Sequence, residues 1–135
     1  MRTVLRTLAI ALSVVAAVLS CTDRISPVDM TYSAIRETFY RIHIYAQKNG
    51  SVPSSLEVLP KREGYVNRTT DGWDRPLEYR VQQDGIITLT SYGRDGVPGG
   101  TGEDADISVS YRTKHADDSL WVGEDLWVVE AQVKQ

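Results

Sequence analysis

The sequence predicts an α+β fold, in which one long N-terminal helix packs on a small antiparallel sheet of three to four strands. Two observations predict it. Apolar residues recur at helical spacing over residues 27–48, and short alternating runs separated by turn residues follow over residues 77–111. The length of 135 residues is suited to a single domain.

The composition is that of an ordinary folded domain. The chain is 41% apolar and 24% charged, with a formal net charge of −3. It has no dense cluster of Lys and Arg, which argues against a nucleic-acid-binding protein. Three Trp and seven Tyr residues argue against disorder over most of the length.

Residues 1–20 have the organisation of a signal peptide. A basic start, MRTVLR, precedes an apolar segment at residues 8–20, which is thirteen residues long. That is shorter than the ~20 residues that a bilayer-spanning helix needs. The segment runs into VLSC, which resembles a bacterial lipobox, so Cys21 is the predicted lipidation site. The alternative is ordinary export that leaves Cys21 as a free thiol.

We therefore expect a lipidated cysteine and tether at residues 21–26, followed by a domain at residues 27–135. Six residues reach at most about 20 Å, so the domain should stay close to the bilayer. Two or three acyl chains give stable anchoring where a single chain does not. Thr22, rather than an acidic residue, follows Cys21. This favours the bacterial outer membrane, with the domain facing the periplasm.

The long helix has recognisable ends. Ser26 can cap its N-terminus, with Pro27 in the first turn and Asp29 three residues after the cap. Asn49-Gly50 supplies a left-handed stop. The apolar stripe between these ends consists of Val28, Tyr32, Ile35, Phe39, Ile42 and Ala46.

The other positions of this helix are expected to be solvated. They include Arg36, Glu37, Arg41, Gln47 and Lys48. His43 is expected to be a partly exposed surface histidine. A metal-binding role is disfavoured because no second histidine lies four residues away.

A connector and a hairpin follow the helix. Residues 51–66 form the connector, with a short helical turn at residues 54–59. LEYRV and IITLTSY then read as two strands around the turn Gln83-Asp84-Gly85. Trp73 is expected to pack over the end of the sheet rather than to bind a ligand.

A loop rich in glycine and acidic residues, residues 91–107, precedes the strand-like run ISVSY. It contains five glycines, which let a chain turn back on itself, and four acidic residues. Hard oxygen ligands without His or Cys suit calcium better than zinc or copper. EF-hand and phosphate-loop spacings are absent. The alternative is a solvated acidic turn without a metal. The side-chain oxygen donors of this glycine-acid loop are Ser91, Asp95, Glu103, Asp104 and Asp106.

Two stretches carry a family resemblance. DGWDRPLEY at residues 71–79 is similar to the pattern D-P-W-G-x-P-x-x-Y, and SYGRDGVPGGTGEDADI at residues 91–107 matches S-x-G-x-D-G-x-x-G-G-x-G-x-x-A-D-I at every fixed position. Together they resemble the C-terminal domain of the major (G-type) pseudopilin of type II secretion systems, over about residues 28–110. The resemblance implies a pilin-like fold and a calcium ion held by the loop. Carried over by position, Asp95 and either Asp104 or Asp106 are the implied carboxylate ligands.

The chain also departs from the family pattern. Gly72 stands where the family has Pro, Asp74 where it has Gly, and Leu77 where it usually has Tyr. Pseudopilins keep an apolar N-terminal helix that anchors the subunit and packs the filament core. Here we expect cleavage to remove the apolar segment, so the mature protein would lack the helix that polymerises.

The C-terminal tail gives two further expectations. Residues 125–133 read as an added strand, and Trp121 and Trp127 either cover the core or form a partner surface. His115 with Asp117 and Asp118 could suggest a proton shuttle, but no motif places a nucleophile beside them. We therefore expect no enzymatic activity.

The sequence thus predicts a non-enzymatic cell-envelope lipoprotein with a pseudopilin-like, calcium-stabilised domain. Its expected role is as an accessory or interaction component related to type II secretion or pilus systems. The expected partners are a calcium ion, the membrane through Cys21, and envelope or secretion proteins, with no nucleic acid. One alternative is a genuine major pseudopilin with an atypical leader, and another is an envelope ligand-binding module or hydrolase.

Overall fold

A computed structural model describes residues 24–83 and 85–120. It contains helix α1 (Pro27–Asn49) and strands β1 (Glu78–Val81), β2 (Ile86–Ser91) and β3 (Ile107–Arg112), with 3-10 turns at Leu56–Val58 and Gly102–Asp104. The predicted α+β class is therefore confirmed, with three strands in the described part. Within the same part, no helix is both long enough and apolar enough to cross a bilayer.

Several predictions lie outside the described residues. They are the signal peptide at residues 1–20, the lipidation site Cys21, the turn residue Asp84, the strand at residues 125–133, and the tryptophans Trp121 and Trp127.

The sheet is antiparallel throughout, in the order β1-β2-β3. Strand β2 is central and shows strict alternation: Ile87, Leu89 and Ser91 are buried, whereas Thr88 and Thr90 are half-buried. The two threonine hydroxyls bond across to serine hydroxyls of β3 on the outer face, at 2.9 and 2.8 Å. The hairpin and the third strand predicted from the sequence are both confirmed.

Helix α1 begins and ends where its capping residues predict. The Ser26 hydroxyl accepts a hydrogen bond from the Asp29 N–H at 3.1 Å, which satisfies one of the free donors of the first turn. At the other end, Gly50 has φ 72° and donates its N–H to the Ala46 carbonyl at 2.8 Å. This left-handed residue ends the helix because glycine adopts positive φ without steric cost.

The core lies between α1 and the inner face of the sheet. The Phe39 ring stacks on Tyr111 of β3, with centroids 3.4 Å apart, and Trp73 packs against the same cluster, as expected. Tyr32 is an exception to the predicted stripe, because it is 37% exposed. The buried core residues are Ala34, Ile35, Phe39, Ile42, Ala46, Leu56, Leu59, Leu77, Ile87, Leu89 and Ile107.

Two predictions of solvated helix positions are wrong. Arg41 is only 4% exposed and His43 only 5%. The connector after α1 covers Arg41, which donates to the carbonyls of Pro60 at 2.8 Å and Asn67 at 3.0 Å. Burial also lowers the pKa of His43, because a low-dielectric surrounding disfavours the charged imidazolium.

The turn at residues 71–76 packs closely against the start of α1. The Thr31 hydroxyl donates to the Pro27 carbonyl at 2.8 Å and accepts from the Gly72 N–H at 2.9 Å. A Cβ atom at Gly72 would lie 1.9 Å from the Pro27 carbonyl oxygen. Only glycine therefore fits between this turn and the helix.

Candidate functional site

The glycine-acid loop connects the end of β2 to the start of β3 and turns back on itself. The Arg94 N–H donates to the Glu103 carbonyl at 2.8 Å, which joins the two arms of the loop. Arg94 itself lies within a tighter turn, in which the Gly96 N–H donates to the Tyr92 carbonyl at 3.1 Å. The loop is therefore ordered by its own backbone hydrogen bonds.

Two of its glycines enclose the backbone of Asp104. A Cβ atom at Gly93 would lie 2.7 Å from the Asp104 carbonyl carbon, and one at Gly100 would lie 2.5 Å from the carbonyl oxygen. Both glycines have positive φ, 64° and 84°, where a side chain is also strained. The close approach explains why the pattern requires glycine at these two positions.

The loop is tied to the rest of the fold through a buried carboxylate that the sequence analysis did not single out. Asp71 is 0% exposed and accepts hydrogen bonds from the N–H groups of Trp73 and Arg75, both at 2.9 Å. Its other oxygen accepts from the Ser91 hydroxyl at 2.6 Å. Ser91 in turn accepts from the Gly93 N–H at 3.2 Å, so its hydroxyl anchors the first turn of the loop.

Two side chains outside the loop hold its first residues. The Arg75 guanidinium donates to the carbonyls of Gly93 and Arg94. The Tyr92 hydroxyl donates to the Glu78 carboxylate, and this hydrogen bond lowers the pKa of Glu78 and raises that of Tyr92. Arg75 was also missed, because its role depends on a contact that lies 18 residues away in the chain.

Arg94 compensates part of the loop's negative charge. Its guanidinium donates to both oxygens of Asp104, at 2.9 and 3.1 Å, and to Glu103 at 3.0 Å. Hydrogen bonding to Asp104 raises the pKa of Arg94. Arg94 and Glu103 are exposed, at 57% and 52%, and the Asp104 side chain is half-buried, at 31%. The ion pairs are therefore open to water and to dissolved ions.

The two remaining predicted ligands bond to backbone groups. Asp95 accepts from the Val97 N–H at 3.1 Å. Asp106 accepts from the Gly99 N–H through both oxygens, at 3.0 and 3.1 Å. Asp106 thus holds the glycine arm of the loop close to the start of β3.

The donor atoms of the loop are of the kind that calcium prefers, but their positions do not form a ready ion site. The donors are all oxygens, which calcium prefers. However, among residues 24–83 and 85–120, no three His, Cys, Asp or Glu side chains are grouped closely enough to hold a metal ion. Asp104 is paired with Arg94, and Ser91 is committed to Asp71. Ion binding would require Asp104 to leave Arg94, so calcium remains a prediction.

The residues considered for proton transfer lie in a tight turn after β3. Asp117 accepts from the N–H and hydroxyl of Ser119 at 3.1 and 2.5 Å, and these bonds lower its pKa. Asp118 pairs with Lys114 at 2.9 Å, and the His115 N–H donates to the Ser119 carbonyl at 2.8 Å. The contacts of Asp117 and Asp118 are those of a local turn.

Comparison with known proteins gives two related matches. The family model described as "Type II secretion system (T2SS), protein G" matches residues 23–110. The type II secretion system core protein G of Xanthomonas campestris pv. campestris is 32% identical over 90 residues, which cover 58% of this chain and 63% of that protein. The chain therefore spans less than two thirds of the length of this relative.

Proposed function

The chain belongs to the type II secretion system protein G family, and we propose that it is a non-enzymatic accessory or interaction component of a bacterial cell envelope. In this proposal it stands beside a secretion or pilus machine and is held at the membrane by lipid on Cys21. The observation that carries the family assignment is the match over residues 23–110. This range includes α1, β1, β2, the glycine-acid loop and most of β3.

The lipid anchor is supported by the sequence around Cys21. A basic start and a short apolar segment lead into VLSC, the order of features typical of an exported lipoprotein. Mass spectrometry of the N-terminus of the protein isolated from bacterial membranes tests this anchor. We expect a chain that begins at an acylated Cys21, and a Cys21→Ser variant should remain unprocessed.

The second candidate is a filament-forming pseudopilin that retains residues 8–20. The similarity to the Xanthomonas type II secretion system core protein G favours it. The same measurement separates the two candidates. A mature chain that includes the apolar segment and has no acyl group on Cys21 would contradict the lipoprotein proposal and support the pseudopilin.

We also propose that calcium stabilises the glycine-acid loop, with Asp95, Asp104 and Asp106 as the carboxylates and Ser91 as a neighbouring oxygen. The exposed Arg94 ion pairs support this proposal, because a dissolved divalent cation can compete for the same carboxylates. Ser91 would act mainly by positioning, since its hydroxyl bonds to buried Asp71. Unfolding temperatures measured in chelator and in millimolar calcium test it, and equal temperatures would contradict it.

A further inference from the structure

A groove runs beside the first half of α1. It has a volume of about 300 Å³ and lies between helix residues such as Met30 and Ala34 and the connector residues Tyr65 and Val66. Its rim is unusually apolar for a surface: Ile25 is 71% exposed, Val66 83% and Tyr65 54%. Exposed apolar side chains gathered in one place mark an interaction surface. We call Ile25, Tyr65 and Val66 the apolar rim.

One member of the apolar rim, Tyr65, is held in place by an arginine that is itself part of an ion pair. The Arg62 guanidinium lies 3.6 Å from the centre of the Tyr65 ring and 4.1 Å from that of Tyr40. Arg62 also pairs with Glu37 of α1 at 2.8 Å. These contacts order Tyr65 beforehand, so that docking costs little further side-chain entropy.

The apolar rim is close in sequence to the membrane-attachment region. Ile25 follows Cys21 by four residues, which span at most about 14 Å. If residues 8–20 remain as an anchor instead, Ile25 follows their last residue by five positions. The rim is therefore confined near the bilayer surface under either form of attachment.

We propose that the apolar rim docks on the surface of the membrane to which the N-terminal segment is attached. This inference rests on the proposed membrane attachment. Aliphatic side chains at such a surface enter the boundary between headgroups and acyl chains, and tyrosine favours the same depth. Arg24 precedes Ile25 in the chain and Arg68 lines the groove, so two guanidinium groups are available to lipid phosphates.

Docking would fix the orientation of the whole domain. A tether alone lets the domain rotate freely, whereas a tether and a second contact define one face toward the lipid. The opposite end of the molecule would then face the periplasm. Val81, at the end of β1, marks that opposite end, because Tyr79, two residues before it in the strand, donates to the Pro53 carbonyl just beyond the C-terminus of α1.

The test uses the full chain reconstituted in vesicles of phosphatidylethanolamine and phosphatidylglycerol. A Val66→Cys variant and a matched Val81→Cys control, also an exposed valine at 49%, each receive an environment-sensitive fluorophore. The unsubstituted chain corrects for labelling at Cys21. With spin-labelled lipids, quenching at residue 66 should exceed that at residue 81 by about two-fold or more, because docked aliphatic groups lie ~5–10 Å into the interface.

Vesicle flotation of the same samples separates attachment from docking. Flotation with preferential quenching at residue 66 supports the proposal. Flotation with equal quenching at both residues overturns docking and leaves attachment intact, whereas a chain that does not float overturns both. If emission at residue 66 depends on the protein-to-lipid ratio and not on the lipid quencher, a second copy of the chain covers the rim and the proposal is wrong.

Discussion

Two loops of this domain are each held by an arginine, but in opposite ways. Arg41 is 4% exposed and holds the connector after α1 by donating to the carbonyls of Pro60 and Asn67. The Arg94 side chain is 57% exposed and holds the glycine-acid loop by pairing with carboxylates. The connector is fixed by a buried arginine that bonds to neutral carbonyls, and the glycine-acid loop is fixed by exposed ion pairs.

The difference shows which loop can respond to its surroundings. A buried guanidinium cannot be replaced by a dissolved ion, and removing it leaves carbonyl groups without partners. An exposed ion pair contributes little to stability and is screened by salt, so another cation can take over its carboxylates. We expect the connector to be a permanent part of the fold and the glycine-acid loop to depend on the ions present.

The largest effect should come from Arg41. Replacing Arg41→Met should lower the free energy of unfolding by about 3–5 kcal/mol, because a buried side chain is changed and the connector carbonyls lose charged hydrogen-bond donors. Urea denaturation followed by circular dichroism measures this change. Arg36→Met, at an exposed position of the same helix, is the matched control and should change stability by less than about 0.5 kcal/mol.

Calcium should give the next largest effect. At a free concentration near 100 times the Kd, calcium should raise the free energy of unfolding by about 2.7 kcal/mol relative to chelator. An Arg94→Gln variant should bind calcium more tightly, because the competing internal cation is gone. Titration calorimetry measures both affinities, and Asp106→Asn serves as the binding-deficient control. An unchanged affinity in Arg94→Gln would show that Arg94 does not compete with the ion.

Glycine substitutions separate steric fit from backbone strain within the loop. Gly99 and Gly100 both have positive φ, 98° and 84°, but only a Cβ atom at Gly100 would meet other atoms within 4 Å. Gly99→Ala should cost about 1 kcal/mol from strain alone. Gly100→Ala should cost more, about 2–3 kcal/mol, since it also displaces the Asp104 carbonyl. Equal thermal shifts would contradict this close packing.

The smallest effect concerns pH and the buried helix face. Burial lowers the pKa of His43 below its usual 6.5, so the unfolded chain binds more protons between the two pKa values. Stability should therefore fall as pH drops below about 6.5. A His43→Gln variant should lack this part of the pH dependence in thermal melts from pH 8 to pH 5. His115→Gln, at an exposed position, is the control.

The sequence predicted the helix and the hairpin well, because the residues that determine them lie close together in the chain. Ser26 caps the helix with an atom three residues from its partner, and Gly50 closes it within one turn. The same reasoning failed at Arg41 and His43. The burial of Arg41 depends on connector residues such as Pro60 and Asn67, up to 26 positions away, and periodicity within a helix contains no information about them.

The glycine-acid loop divides in the same way. Its glycines could be recognised from the sequence. The structure shows that Gly93 and Gly100 are required by positive φ and a close backbone approach. The partners of its carboxylates could not be predicted from the sequence. Asp104 could equally face an ion or Arg94, and the choice depends on how the two arms fold together. The one sequence feature that pointed to Asp71 was its position at the start of DGWD. That motif does not predict the hydrogen bond between Asp71 and Ser91.

The backbone of Pro27 leaves no room at Gly72 for the proline that stands at this position in the family pattern. With a Cβ atom there placed 1.9 Å from the Pro27 carbonyl oxygen, the family's proline cannot be grafted onto this backbone unless the start of α1 shifts as well. We therefore expect the two segments to be compatible with each other only as a matched pair. Chimeras between this chain and its relatives should exchange residues 26–31 and 71–76 as a single unit.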